Sequence, residues 1–202
     1  MDPHAITTYE QLRELYSEPK QRTLDKEIDH LDDHCRRFIA LSPFAVVCSA
    51  SADGLCDASP KGGPPGFAIV LDDHRLLIAD ASGNRRVDGF KNMLQNPRVG
   101  ILFLIPGMGE TLRVNGRAEL TTDPALLEGL QTGGKPAKLA LVIHAEEVYI
   151  HCAKALIRSR LWDPETWPAE LPSAAEILSD HIGIGDVEAS AAALAEGYRT
   201  GL

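Results

Sequence analysis

Apolar residues recur at helical spacing near both ends of the chain and at strand spacing between them. Leu12, Leu15 and Tyr16 form one stripe and Ile28, Leu31, Cys35, Phe38 and Ile39 another, which predicts helices over residues 9–17 and 24–41 with Pro19 and Pro43 as breakers. From Phe44 the texture changes to short apolar and β-branched runs. Strands are expected at 45–48 and 55–59 around an Asp53-Gly54 turn, then at 67–71 and Arg75–Ala79 around Asp72-Asp73-His74. Gly62-Gly63-Pro64-Pro65-Gly66 reads as the loop between these hairpins. Val87, Phe90, Met93 and Leu94 predict an amphipathic helix over 85–95, stopped by Asn96-Pro97. A buried strand follows at 99–105. Leu112, Val114, Gly116, Ala118 and Leu120 then alternate with Arg113, Asn115, Arg117 and Glu119, so one face of strand 111–120 is core and the other polar. Asp123-Pro124 opens a helix running to Leu130 and ended by Gly133-Gly134, and 139–152 is a long last strand. Ser173-Ala174-Ala175-Glu176 is a capping-box pattern, and Val187, Ala191, Leu194 and Tyr198 mark a final helix.

Six or seven hairpin-linked strands with helical additions point to a mainly β, antiparallel barrel, because closure removes exposed edges. The 202 residues suit one sizeable core, divided as an N-terminal helical segment (1–42), a barrel (43–165) and a C-terminal helical appendage (166–202). Against 29 Asp and Glu stand only 20 Lys and Arg, a formal charge of −9 that argues against a nucleic-acid partner. The apolar runs fall far short of the roughly 20 residues of a membrane span, and the N-terminal sequence carries no secretory pattern. No membrane association and a cytoplasmic location are the expectation. Cys35, Cys48, Cys56 and Cys152 lack CxxC pairing and are expected as reduced thiols, although Cys48 and Cys56 flank one turn.

Two stretches have the chemistry of a ligand site. Asp80-Ala81-Ser82-Gly83-Asn84-Arg85-Arg86 joins a strand to a helix start, where free N–H groups and two arginines suit a phosphate. Arginines there oppose the helix dipole, a penalty that a bound anion offsets. Ser59-Pro60-Lys61-Gly62-Gly63 supplies a cation beside glycines that let backbone approach a flat ligand. His30 and His34 stand at i and i+4, but the surrounding Asp29, Asp32 and Asp33 read as a solvated acidic face and no metal site is assigned. Trp162 and Trp167 read as packing anchors.

The order of these stretches, followed by Asn96-Pro97-Arg98-Val99-Gly100 and Thr111-Leu112-Arg113-Val114-Asn115-Gly116, resembles the FMN-binding split-barrel family that includes pyridoxamine 5'-phosphate oxidase, and in particular its FMN-dependent branch of unknown activity. The similarity spans about residues 35–165. It implies a six- or seven-stranded split barrel and a homodimer with FMN at its interface. It also implies an oxidoreductase, acting on an unidentified small substrate by hydride or electron transfer. Implied cofactor contacts are Ser59, Lys61, Gly62, Ala79, Asp80, Asn84, Arg85, Arg86, Thr111 and Arg113, with Cys152 and Lys154 reaching a partner's flavin. Redox chemistry resides in the cofactor, so no catalytic side chain is named. The chain departs from the oxidase in two places. Asp57-Ala58-Ser59-Pro60-Lys61-Gly62 replaces a strand with both an arginine and a lysine. Arg158-Ser159-Arg160-Leu161-Trp162 replaces the C-terminal Arg-Leu-His-x-Arg segment, so pyridoxamine phosphate is not the expected substrate. Two other readings stay open: a deazaflavin-dependent reductase, and a flavin- or haem-binding storage or sensor protein without turnover.

Overall fold

The fold is described from a computed structural model that covers residues 2–81, 83 and 85–201. Seven strands form one antiparallel sheet: β1 (Phe44–Ala50), β2 (Cys56–Gly62), β3 (Ala68–Val70), β4 (Arg75–Ala79), β5 (Arg98–Leu104), β6 (Thr111–Thr121) and, after a minor hairpin of β7 (Gln131–Thr132) and β8 (Lys135–Pro136), β9 (Ala140–His151). Their order is β2-β1-β5-β6-β9-β4-β3. The coiled sheet thus ends at β2 and β3, which do not pair among the described residues, and this gap is the split of the barrel.

The helices are α1 (Tyr9–Leu15), α2 (Gln21–Leu24), α3 (Asp33–Leu41), α4 (Asp88–Gln95), α5 (Pro124–Leu127), α6 (Lys154–Ser159), α7 (Ala174–Ile182) and α8 (Val187–Gly201). Among the described residues no helix is long and apolar enough to cross a membrane. The alternation of β6 is the expected one, with Leu112, Val114 and Ala118 buried in a core shared with Val47, Ile101, Phe103, Ile143 and Val148. Leu31, Cys35, Phe38 and Ile39 bring α3 and its lead-in onto the same core, whereas α1 and α2 bury no residue. At the far end α7 packs against α8, and neither packs extensively on the sheet.

Most element ends fall within a residue or two of the sequence expectation, and the larger differences are these. The helix expected over 24–41 is confined to its last nine residues. β4 reaches along β9 only as far as His144, and Ile28 takes over the exposed edge, exchanging N–H···O bonds of 3.0 and 2.7 Å with Val148. Satisfying a buried strand's backbone outweighs a short run's helix propensity. Asp32 then caps α3, its carboxylate accepting from Cys35 N at 2.8 Å. The helix expected from 85 starts at Asp88, because Arg85 (φ 62°) and Val87 (φ 53°) are left-handed. Asp123 caps α5 as expected, but α5 stops at Leu127, and Gly133-Gly134 turn the β7–β8 hairpin instead of ending a helix. Gly62 belongs to β2 and not to the following loop.

One glycine holds the long strands together. A β-bulge falls between Asn115 and Gly116, where a Cβ on Gly116 would stand 1.9 Å from the His144 carbonyl oxygen. No other residue type fits this contact without moving the backbone.

Candidate functional site

Pleating decides which residues of β2 face the barrel. Ser59 and Lys61 pair with Val47 and Ala45, both buried, so they share the inward face, while Gly62 lies against the Pro43 carbonyl. Lys61 spans the split: its Nζ is 3.9 Å from Asp80 Oδ1 and 5.2 Å from the centroid of the Phe90 ring on α4. Asp80 follows β4, tied down by its N–H to Leu139 O and its carbonyl, which accepts from Thr132. Burial pushes the Asp80 carboxyl above its ordinary range, and the Lys61 charge opposes the shift. Ala79 sits beside them, paired with Ala140.

The start of α4 forms the other wall of this mouth. Its first turn abuts β2, since a Cβ on Gly89 would meet Asp57 Oδ2 at 3.0 Å, and Asn92 donates to Ser49 Oγ at 3.3 Å. Val87 occupies the N-cap position and offers no side-chain cap, so no side chain among the described residues caps the first-turn N–H groups. Left-handed conformations at Arg85 and at a β-branched Val87 are strained, and such strain concentrates at ligand sites. Arg85 is exposed. Arg86 donates to Asp88 Oδ2 at 2.7 Å, and that hydrogen bond holds the Asp88 carboxyl below its usual range. Asn84 lies outside the described residues. A lysine, two arginines and an uncapped helix start form a donor set that fits a phosphate monoester; Asp80 and Asp88 are the carboxylates it must compete with.

The remaining candidate residues stand elsewhere. Thr111, itself buried, and half-buried Arg113 lie on the side of β6 opposite buried Leu112 and Val114. Arg113 Nη1 donates to Tyr149 Oη at 2.7 Å. Cys152 and Lys154 are exposed beyond the end of β9, whereas Ala79 pairs with its first residue. A twelve-residue strand at about 3.3 Å per residue separates them by roughly 35 Å along its path. One chain therefore does not assemble all the candidate residues around a single mononucleotide.

Sequence reasoning missed two features. Lys26, expected within a helix, lies against Tyr149 with its Nζ 4.9 Å from the ring centroid, brought there by the Ile28–Val148 bridge. A groove of about 880 Å³ opens on the outer face, lined among others by Cys48, Cys56, Arg98, Gly100 and Asn115. Only the glycine within β5 hinted at it, since a Cβ on Gly100 would come within 3.1 Å of Asn115 Oδ1. All four cysteines are free, and burial pushes the Cys35 thiol up to about 12, removing it as a nucleophile at neutral pH. Trp162 donates to Met108 O at 2.8 Å and anchors the β5–β6 loop, while Trp167 is exposed.

Sheet order, split and helix placement define an antiparallel split-barrel protein with a polar mouth. The chain belongs to the pyridoxamine 5'-phosphate oxidase family, whose sequence pattern matches residues 31–152. Comparison with curated proteins gives no match. Among solved structures, a HupZ variant from Group A Streptococcus is 18% identical, with a TM-score of 0.50 over 60% of this chain and 99% of its own. A pyridoxamine 5'-phosphate oxidase-related FMN-binding protein from Nostoc punctiforme is 14% identical, with a TM-score of 0.42 over 60% of this chain and 80% of its own.

Proposed function

We propose that this chain is a cytoplasmic, homodimeric FMN-binding flavoprotein and an oxidoreductase of a small organic substrate. The observation that carries the reading is the mouth of the split, where half-buried Lys61 faces the uncapped start of α4 and its strained arginine turn. Lys61 and Arg85 would neutralise the phosphate dianion, and the first-turn N–H groups of α4 would donate hydrogen bonds to its oxygens. Ser59, inward on β2, offers a hydroxyl beside them. Bound FMN would supply reversible two-electron chemistry, passing a hydride between a donor and an acceptor. Thr111, Arg113, Cys152 and Lys154 would serve the flavin of a second copy, since the pleat turns the first two away from their own chain's mouth and the length of β9 separates the last two from it.

Pyridoxamine phosphate is not the substrate in this reading. Its own phosphate needs a second cationic pocket, and the segment that replaces the oxidase's C-terminal one has Arg160 engaged with Asp163 at 2.5 Å. The test is the spectrum of the purified chain: two flavin bands, release of free FMN on heating, and reconstitution by added FMN. Protein that stays colourless after exposure to FMN would sink the proposal. A single deazaflavin band or a Soret band would replace the cofactor. Sustained pyridoxal phosphate formation would restore the oxidase activity, and sedimentation as a monomer at micromolar concentration would remove the shared site.

A further inference from the structure

Cys48 on β1 and Cys56 on β2 are exposed thiols of one hairpin. Cys48 pairs with Ala58 and Ala50 with Cys56, so the two cysteines are diagonal neighbours on the same face, and both line the outer groove of about 880 Å³. The turn fixes how close they come. Ser51 N donates to Leu55 O at 2.9 Å, and the alternation of an antiparallel ladder then makes Ala50–Cys56 and Cys48–Ala58 non-hydrogen-bonded pairs, in which the strands approach most closely. A diagonal in such a ladder spans about 7–8 Å between Cα atoms, with the Cβ atoms somewhat nearer.

That spacing decides what the thiols can share. A disulfide needs Cα atoms within about 6.8 Å, so the pair does not close without moving a strand, and both sulfurs are free. A metal ion between the sulfurs replaces one S–S bond of about 2.05 Å by two metal–sulfur bonds of about 2.3 Å each, which adds the length that a disulfide lacks. Space beside Cys48 is open, because its neighbours in register are Ala58 on β2 and Gly100 on β5. Cys56 donates weakly from Sγ to Gly54 O at 3.6 Å, a contact that rotation about χ1 exchanges for one toward Cys48.

The number of ligands selects the ion. Among the described residues no three or more His, Cys, Asp and Glu side chains gather closely enough to hold a metal ion, so the pair gains no third ligand of these types. Structural zinc takes four ligands and the hard cations take oxygens, whereas a soft monovalent cation is satisfied by two thiolates in line.

We infer that Cys48 and Cys56 form a two-thiolate site for a soft monovalent cation, copper(I) in chemical class, on the outer face of the first hairpin. On binding, two S–Cu bonds form and both thiol protons pass to solvent, while copper and sulfur keep their oxidation states. The other thiols stand apart from it: Cys35 is buried, and Cys152 lies beyond the end of β9, a strand that pairs with neither β1 nor β2. The site does not rest on the flavin reading.

The experiment is an anaerobic titration of the full, reduced chain with copper(I) in competition with a coloured copper(I) chelator. One equivalent per chain should be retained. Removing an outer group around a metal costs about 10–100-fold, and removing one of only two ligands costs more, so Cys48→Ser and Cys56→Ser should each lower the affinity by about a hundredfold or more. Cys152→Ser should change it by less than about twofold. X-ray absorption at the copper edge of the wild-type complex, which needs no variant, should show two sulfur neighbours and no nitrogen. Affinity kept in both hairpin variants, an equal loss in Cys152→Ser, one copper per two chains, or copper with three or more neighbours would overturn the site. Prompt formation of a Cys48–Cys56 disulfide under mild oxidation, found by peptide mapping, would overturn it too, since the separation argued from the register would be wrong.

Discussion

Replacing Lys61 by Met tests the mouth of the split more directly than any other single change. The variant keeps the stem against Phe90 and removes one charge, 3.9 Å from Asp80 Oδ1 and 5.2 Å from the ring centroid. For stability the effect is small, because both partners are partly exposed and such pairs contribute about 1 kcal/mol or less. For a phosphate dianion the effect is larger: a charge-assisted contact contributes about 1.5–3 kcal/mol, so FMN affinity should fall roughly 10–100-fold. Asp80→Asn is the complementary change. It removes a carboxylate that repels the same phosphate, and FMN affinity should hold or rise a few-fold.

The pH dependence carries a second signature. Burial raises the Asp80 carboxyl above its unfolded value, so the folded protein binds more protons than the unfolded chain between those two values. Asp80 therefore makes stability fall as pH rises through that window. Loss of Lys61 removes the charge that opposed the shift, widening the window upward, and the variant's deficit against wild type should grow with pH. Asp80→Asn abolishes this contribution. Flavin fluorescence titration and thermal melts across mildly acid to neutral pH read both effects. Unchanged FMN affinity in Lys61→Met, or an equal loss in Asp80→Asn, would refute the assignment of Lys61 to the phosphate.

Gly116→Ala should destabilise by about 3 kcal/mol or more, lowering the melting temperature by roughly 6–12 °C, because its Cβ would meet a backbone carbonyl at 1.9 Å. Gly197→Ala, with nothing within 4 Å inside α8, should be neutral or stabilising; equal losses at the two positions would contradict the close approach at the bulge. Deleting residues 173–202 should leave a cooperative β-sheet melt, since α7 and α8 pack chiefly on each other, and loss of folding would show that the pair supports the core.

What the sequence made legible was local. The Asp123 and Ser173 caps, the bounds of β4 and the alternation of β6 depend on residues within a few positions, and all appear as expected. The two helices inserted between strands of the main sheet were also visible, as amphipathic or capped runs. Hidden were the features that depend on distant segments. Residues 25–32 carry a helical apolar spacing but serve as an edge for β9, whose Val148 lies 120 positions away in the chain. Val87 has strong apolar character and so looked like the interior of a helix. Its left-handed backbone is recorded by no side-chain pattern. Lys26 was unremarkable for the same reason: its neighbourhood exists only once β9 and the lead-in to α3 are joined.

The division of the candidate residues between two faces follows from the pleat itself. Ser59 and Lys61 lie on the face whose rows continue through Val47, Ile101 and Val114 and through Ala45, Phe103 and Leu112, whereas Arg113 lies on the row of Leu102, Val46 and Pro60. A strand cannot turn one of these rows toward the other without a shift of one residue, and such a slip would expose every buried side chain of the core. The bulge at Gly116 makes no such correction, because Arg113 precedes it and remains in regular register with Tyr149. A ligand that touches both Lys61 and Arg113 must therefore be reached from two sides of a sheet. The simplest way to supply the second side is another copy of the chain, its outer face against the first chain's mouth. The proposed dimer and the proposed cofactor therefore stand together: a monomer would leave each half of the constellation serving a different ligand, and the two halves would then respond independently to substitution.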